Sequence, residues 1–279
     1  MSRQNFFSVE FFPPRDVAAA ERLQQTTQEL SVIEPDFISV TFGAGGSTQE
    51  GTLETVRMLK AKGINAVPHL SCMGNKTEKI LAILEQFKQI GVERIVALRG
   101  DLPSGMGLVD NGLRYASDLV SLIRQHYGNH FHIEVAAYPE MHPQAESPSA
   151  DLDNFITKVK AGADSAITQY FYNADAYFDF VNRLQAKGIN IPVVAGIMPI
   201  TNYAQLSRFS QMCGAEIPRW MRLRLAEFAD DKASIRAFGV DVVSQLCQRL
   251  IDQGAPGIHF YTLNQSAATL AIWKNLKID

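Results

Sequence analysis

The run Phe6-Phe7-Ser8-Val9-Glu10-Phe11-Phe12-Pro13-Pro14 holds one carboxyl among apolar residues and stops at two prolines. In an extended chain alternate side chains point to opposite faces. Phe7, Val9 and Phe11 therefore share one face, and Ser8, Glu10 and Phe12 the other. An ionised carboxylate in apolar surroundings is costly unless it is paired, hydrated or protonated. A carboxyl that keeps its proton near neutral pH is suited to general-acid work. The alternative is an edge-strand glutamate pointing into water.

Other polar groups stand where other apolar runs stop. Thr41 follows Ile38-Ser39-Val40, and His69 follows Ala66-Val67-Pro68. Arg99 and Asp101 follow Ile95-Val96-Ala97-Leu98. Tyr138, Glu140 and His142 follow Val135-Ala136-Ala137, Gln169 follows Ala166-Ile167-Thr168, and Tyr261 to Asn264 close the series. One polar strand end has little meaning, since every strand must stop. Gathered on one rim, this many line a pocket.

The residue types limit its chemistry. Lys158 and Lys160 fall in a helical stretch, so no lysine ends a strand, which argues against a Schiff base. His69, Glu140 and His142 could ligate a metal. However, Pro139 and Pro143 flank the latter two and no third histidine is well placed, so no metal is expected. His130-Phe131-His132 looks metal-like but begins its strand. Cys72, Cys213 and Cys247 match neither a disulfide framework nor zinc spacing, and Cys72 reads as a packed thiol. The remainder comprises carboxylates (Glu10, Asp101), neutral groups (Thr41, Tyr138, Gln169) and basic groups (His69, Arg99, His142, Lys158). This set suits holding a large, phosphorylated cofactor while a carboxyl manages a proton.

Positioning these groups falls to a repeated unit. Strand-like runs recur at 6–11, 37–41, 65–70, 93–98, 131–137, 164–168, 192–197 and 257–261. Helical periodicity fills 17–31, 50–62, 76–89, 115–126, 149–161, 174–187, two or three helices across 202–253, and 265–275. Glycines at 63, 91, 162, 188 and 254 close several helices. The expected fold is α/β, a single (β/α)8 TIM barrel with extra helices before the last strand, spanning 1–279 as one domain. An open doubly wound sheet would want a phosphate-binding glycine pattern after strand one, where Pro13-Pro14-Arg15 stands instead. Gly43-Ala44-Gly45-Gly46-Ser47 follows the second strand and lacks the last glycine of a dinucleotide loop.

The 279 residues carry a formal net charge of -3. No basic stripe suggests nucleic acid, and no apolar run reaches membrane-spanning length. The start, Met1-Ser2-Arg3-Gln4-Asn5, lacks a signal-peptide core, so a cytoplasmic protein is expected.

In order, these motifs resemble the methylenetetrahydrofolate reductase family in its short bacterial form. The likeness rests on Val9-Glu10-Phe11-Phe12-Pro13-Pro14, Ser39-Val40-Thr41-Phe42-Gly43-Ala44, Pro68-His69-Leu70 and Ala97-Leu98-Arg99-Gly100-Asp101-Leu102-Pro103. It continues in Tyr115-Ala116-Ser117-Asp118, Ala137-Tyr138-Pro139-Glu140-Met141-His142-Pro143, Ile167-Thr168-Gln169-Tyr170-Phe171, Gly196-Ile197-Met198-Pro199 and His259-Phe260-Tyr261-Thr262-Leu263-Asn264.

The resemblance implies a barrel holding FAD and working by a ping-pong route. NADH or NADPH reduces the flavin and leaves; 5,10-methylenetetrahydrofolate then takes its place and becomes 5-methyltetrahydrofolate, a methyl source for methionine synthesis. It further implies Glu10 as the acid that opens the folate ring and Asp101 as a carboxylate near flavin and pterin. FAD would be lined by Thr41, Phe42, Ala44, His69, Arg99, Gly100, Asp101, Ala116, Tyr138, His142, Ala145, Asp151, Asn154 and Lys158. Gln169, Gln205, Phe209 and Gln265 would face the substrates, and a homo-oligomer would be in keeping. Three positions depart from the family pattern. Gln265 stands where an arginine for the folate is usual, Gln49 replaces another arginine, and Thr157 replaces a basic residue, leaving Lys158 as the main cation for the FAD phosphates.

Overall fold

Alternating apolar runs and amphipathic stretches close into a ring of eight parallel strands, numbered in chain order around the barrel. This is a computed structural model, and it describes residues 6–42, 49–100 and 112–278. The elements are β1 (Phe6–Phe11), α1 (Val17–Leu30), β2 (Phe37–Val40), α2 (Gln49–Ala61), β3 (Ala66–Ser71), α3 (Thr77–Gln89), β4 (Arg94–Leu98) and α4 (Ala116–Tyr127). Then follow β5 (His132–Ala137), α5 (Pro148–Lys160), β6 (Ser165–Thr168), α6 (Ala174–Ala186) and β7 (Val193–Ile197). Three helices, α7 (Tyr203–Cys213), α8 (Arg219–Glu227) and α9 (Lys232–Asp252), precede β8 (Gly257–Tyr261) and α10 (Ala267–Asn275). The expected (β/α)8 barrel and its extra helices before the last strand are both present.

Local chemistry sets the boundaries. Asp16 caps α1 by accepting from the Ala19 N–H at 2.7 Å, and Ser147 caps α5 through the Ala150 N–H with Pro148 in the first turn. Such caps satisfy donors that the helix itself leaves free. The glycines after α2, α3, α5, α6 and α9 all have positive φ, from 73° at Gly91 to 118° at Gly162. That left-handed turn releases the chain into the next strand.

Strand alternation divides the apolar side chains into two layers. Phe7, Val9, Phe11, Ile38, Val40, Ile95 and Ala97 join the main core between strands and helices. Phe37, Val67, Val96, Ile167 and Val194, from the alternate positions, form a second cluster inside the ring. The amino-terminal mouth is closed by charge as well. The Arg94 guanidinium stands 5.6 Å and 5.2 Å from the centroids of the Phe6 and Phe37 rings and pairs with Glu134, while His132 Nε2 lies 2.6 Å from Ser165 Oγ. Burial would raise the Glu134 pKa, but the His132 hydrogen bond and the Arg94 charge outweigh it and hold this carboxyl below its ordinary value. A polar cavity of about 410 Å³ opens at this mouth, lined by Glu93, Arg94, Arg124, His130, His132 and Asp164 among others. Two of its guanidinium groups are spent on neighbours: Arg94 on Glu134, and Arg124 on Gly162 O, Phe131 O and Asp164. His132 therefore belongs to the structural seal, while exposed His130 meets the Phe131 ring edge to face at 4.6 Å.

Gly196 on β7 has no room for a side chain. A Cβ there would lie 2.0 Å from Thr168 O and 2.8 Å from the Tyr261 ring. Gly196→Ala should destabilise the barrel by about 1–3 kcal/mol, the usual range for overpacking. Urea unfolding monitored by far-UV circular dichroism measures this.

Candidate active site

Glu10 ends β1 on the lumen side, its side chain 19% exposed at the carboxy-terminal mouth. Its Oε2 lies 3.4 Å from His69 Nε2 and 3.6 Å from His259 Nε2. His259 is fully buried on β8, and its Nδ1 is 2.7 Å from Ser8 Oγ. When Ser8 donates to Nδ1, the ring proton sits on Nε2 and faces the carboxylate. Neither Nε2 makes a hydrogen bond among the described residues, so both imidazoles are aimed at Glu10 without being saturated by it.

The surroundings of the acid differ from what its run suggests. Phe7, Val9 and Phe11 point outward to the helices, while β3 and β8 supply polar neighbours that lie far off in sequence. Glu10 sits in a histidine-lined setting, not an apolar one. Tyr261, its register partner on β8, donates its hydroxyl to Thr168 O at 2.6 Å. Burial holds that hydroxyl's pKa well above the ordinary tyrosine value.

A second group surrounds the mouth. The Thr41 N–H donates to Phe11 O at 2.9 Å, but Thr41 Oγ1 is buried without a partner among the described residues. Phe42 beside it is half-buried. Arg99 follows β4 and reaches Gln144 Oε1 and Gly100 O. Gly100 has φ 75°, and a Cβ there would lie 2.8 Å from Ser71 Cβ. Ala116 opens α4. Asp101 and Ala44 lie outside the described residues.

After β5, the Tyr138 and His142 rings meet edge to face at 4.6 Å. The His142 N–H donates to Asp151 Oδ2 at 2.8 Å, and the Ala145 N–H to His142 O at 2.9 Å. Along α5, Asn154 is exposed, and half-buried Lys158 donates to Ala136 O in β5. Although it lies on a helix, this lysine delivers its ammonium to a strand. Burial pushes its pKa down to about 8 against the pull of Asp151. Cys72 is a buried thiol pushed up to about 11, chiefly by burial, as a packed rather than reactive cysteine should be.

Gln169 follows β6, its N–H on Ala137 O at 2.7 Å and its Oε1 accepting from the Tyr170 N–H. Gln205 and half-buried Phe209 stand on α7, with the Arg208 guanidinium 5.5 Å from the Phe209 ring. Gln265 is exposed after β8, beside a narrow cleft shared with Pro199, Thr201 and Tyr261. These substrate candidates occupy the working mouth's loops and helices, and none bonds to Glu10. The motif reading passed over Ser8 and His259 as site residues. Their signal was the alternation of His259 and Tyr261 on β8, in register with Ser8 and Glu10.

Among the described residues, no three His, Cys, Asp or Glu side chains gather to hold a metal ion, and no helix is long and apolar enough to cross a membrane.

Comparison with known proteins matches residues 1–277 to the family described as methylenetetrahydrofolate reductase. Over 272 residues the chain is 37% identical to the 5,10-methylenetetrahydrofolate reductase of Escherichia coli K12, covering 97% of this chain and 90% of that one. The Pectobacterium carotovorum enzyme of that name is 38% identical over the same length, with the same coverage. An Arabidopsis thaliana methylenetetrahydrofolate reductase (NADH) is 38% identical over 286 residues, covering 98% of this chain and 48% of its own. Among solved structures, a Clostridium thermocellum protein described as binding two copies of 5-methyl-5,6,7,8-tetrahydrofolic acid superposes with a TM-score of 0.67. It is 16% identical and covers 98% of this chain and 95% of that one, a likeness of fold.

Burial lowers the His69 pKa from 6.5, and the nearby Glu10 charge opposes that fall. The folded chain then binds this proton less readily than the unfolded chain, so His69 subtracts stability as pH falls below the ordinary imidazole value. An NMR titration should place the His69 midpoint below the ordinary imidazole value. Glu10→Gln, which removes the opposing charge, should move its midpoint further down.

Proposed function

The chain belongs to the methylenetetrahydrofolate reductase family, and from that premise we propose that it reduces 5,10-methylenetetrahydrofolate to 5-methyltetrahydrofolate with electrons from NADH or NADPH. The observation that carries this reading is Glu10 Oε2 held between two imidazole Nε2 atoms at the open mouth. A protonated Glu10 gives its proton to the bridge nitrogen of the folate, the five-membered ring opens, and the freed methylene carbon becomes an iminium able to accept hydride. His69 and His259 steady the carboxylate that remains, which makes the transfer easier than in water. Asp101 is the second catalytic carboxylate in this reading.

The residues present fit FAD. Thr41 Oγ1 is a buried polar atom without a hydrogen-bond partner among the described residues, and Lys158 offers an ammonium whose pKa burial pushes down to about 8 against the pull of Asp151. Thr41, Phe42, Ala44, His69, Arg99, Gly100, Ala116, Tyr138, His142, Ala145, Asp151, Asn154 and Lys158 would hold it. When bound, FAD supplies the two-electron chemistry that no side chain can. The two substrates take turns at one face, with Gln169, Gln205 and Phe209 as their contacts and Gln265 at the folate tail. The catalytic unit is the whole barrel of 1–279, a cytoplasmic enzyme that works alone or as a homo-oligomer.

Two outcomes test this. Glu10→Gln should still bleach the flavin absorbance when NADH is added anaerobically, while its reoxidation by methylenetetrahydrofolate slows by about 10²–10⁴-fold, the span of a lost general acid. Normal rates in both stopped-flow half-reactions would remove Glu10 from that role. Separately, a lysine near pKa 8 that gains a phosphate partner must take up a proton on binding. FAD should then bind about tenfold more weakly at pH 9 than at pH 7, by flavin fluorescence titration, and Lys158→Met should flatten that dependence.

A further inference from the structure

We propose that Glu140 and Tyr170 are positioning residues that pin the carboxy-terminal end of α7 to the loops after β5 and β6, fixing where Gln205 and Phe209 stand. The inference rests on the reading above, in which those two side chains face the substrate.

Helix α7 lies in the inserted segment between β7 and β8, so no strand follows it directly to hold its far end. Its start is fastened locally, by Asn202 accepting from the Gln205 N–H at 2.8 Å. The far end is fastened from elsewhere. Glu140, in the loop after β5, accepts the Glu216 N–H at 2.7 Å through its Oε2. A carboxylate on a backbone N–H is a short, directional, charge-assisted bond. Burial raises the Glu140 pKa, and the Glu216 N–H opposes that rise by favouring the carboxylate. Between the two residues the chain turns at Gly214 with φ 76°. A Cβ there would meet Pro143 Cγ at 2.9 Å and Met141 O at 3.4 Å, so the turn lies flat on the same loop. Tyr170, next to Gln169 and 2% exposed, places its hydroxyl 3.0 Å from Ser210 Oγ.

Both ties lead back to the site. The Glu140 loop carries His142, itself tied to Asp151. The Tyr170 ring lies 6.5 Å from the ring of Tyr261, the register partner of Glu10. The cofactor side of the mouth and the substrate helix thus share a clasp, and loosening it should release α7 without disturbing the barrel.

The test compares Glu140→Ala, Glu140→Gln and Tyr170→Phe in the FAD-loaded enzyme. Glu140→Ala should raise the KM for methylenetetrahydrofolate about tenfold while kcat and bound FAD change less than about twofold. Amides of 203–213 should exchange hydrogen faster, with the strands unchanged. Tyr170→Phe should shift the same two readouts in the same direction. Glu140→Gln, which keeps an oxygen acceptor, should restore both. Wild-type KM and exchange in Glu140→Ala and Tyr170→Phe would overturn the proposal, as would a Gln variant as impaired as the Ala variant. If Glu140→Ala fails to fold, Tyr170→Phe and Glu140→Gln decide. A wild-type protein that leaves methylenetetrahydrofolate unreduced would sink the functional reading instead, and the exchange pattern would still decide on the clasp.

Discussion

The pairing of the first strand with the last is the constraint on which the site depends. It sets Ser8 opposite His259 and Glu10 opposite Tyr261, across a sequence separation of 251 for the Ser8–His259 hydrogen bond. Open that seam and Glu10 becomes an edge-strand carboxylate in water, with one of its imidazoles gone. Closing so long a loop is entropically demanding, and its return comes only when the rest of the sheet is in place. The acid's environment is therefore a property of the finished ring and of no smaller piece.

The two mouths of that ring are treated differently. At the amino-terminal end, Arg94, Glu134, His132 and Ser165 compensate one another beneath the Phe6 and Phe37 rings, with Glu134 Oε2 the one fully buried atom of the group that lacks a hydrogen bond among the described residues. At the other end, Thr41 Oγ1 and the Nε2 atoms of His69 and His259 are buried and make no hydrogen bond among the described residues, although both imidazoles face Glu10. Each such atom costs about 1–3 kcal/mol. A fold that only needed to be stable would have filled or paired them. Two of them, the Nε2 atoms of His69 and His259, lie 3.4 Å and 3.6 Å from Glu10 Oε2, and such atoms call for an explanation of the kind the proposed function supplies.

Much of this was legible in the sequence because it is local. Period-two alternation gave the strands, and period-3.6 stretches with terminal glycines gave the helices. Barrel logic then put Glu10, Thr41, His69 and Gln169 at one end. What escaped was non-local. The apolar run around Glu10 suggested an apolar setting, yet alternation turns those phenylalanines away and brings in His259 from the far end of the chain. A helical position keeps Lys158 out of any count of strand ends, but α5 packs so that its ammonium reaches β5. The Glu140–Glu216 tie joins two loops with no periodicity to betray it. Asp101 and Ala44 fall outside the described residues and remain readings of the sequence.

The packing beneath Phe6 and Phe37 has a consequence for timing. The guanidinium of Arg94 lies against both rings and pairs with Glu134, whereas Glu10 has its 19% exposure at the opposite mouth. In the proposed reaction, the folate and the proton that restores Glu10 would then share one opening. Departure of the product and recharging of the carboxyl would be coupled steps.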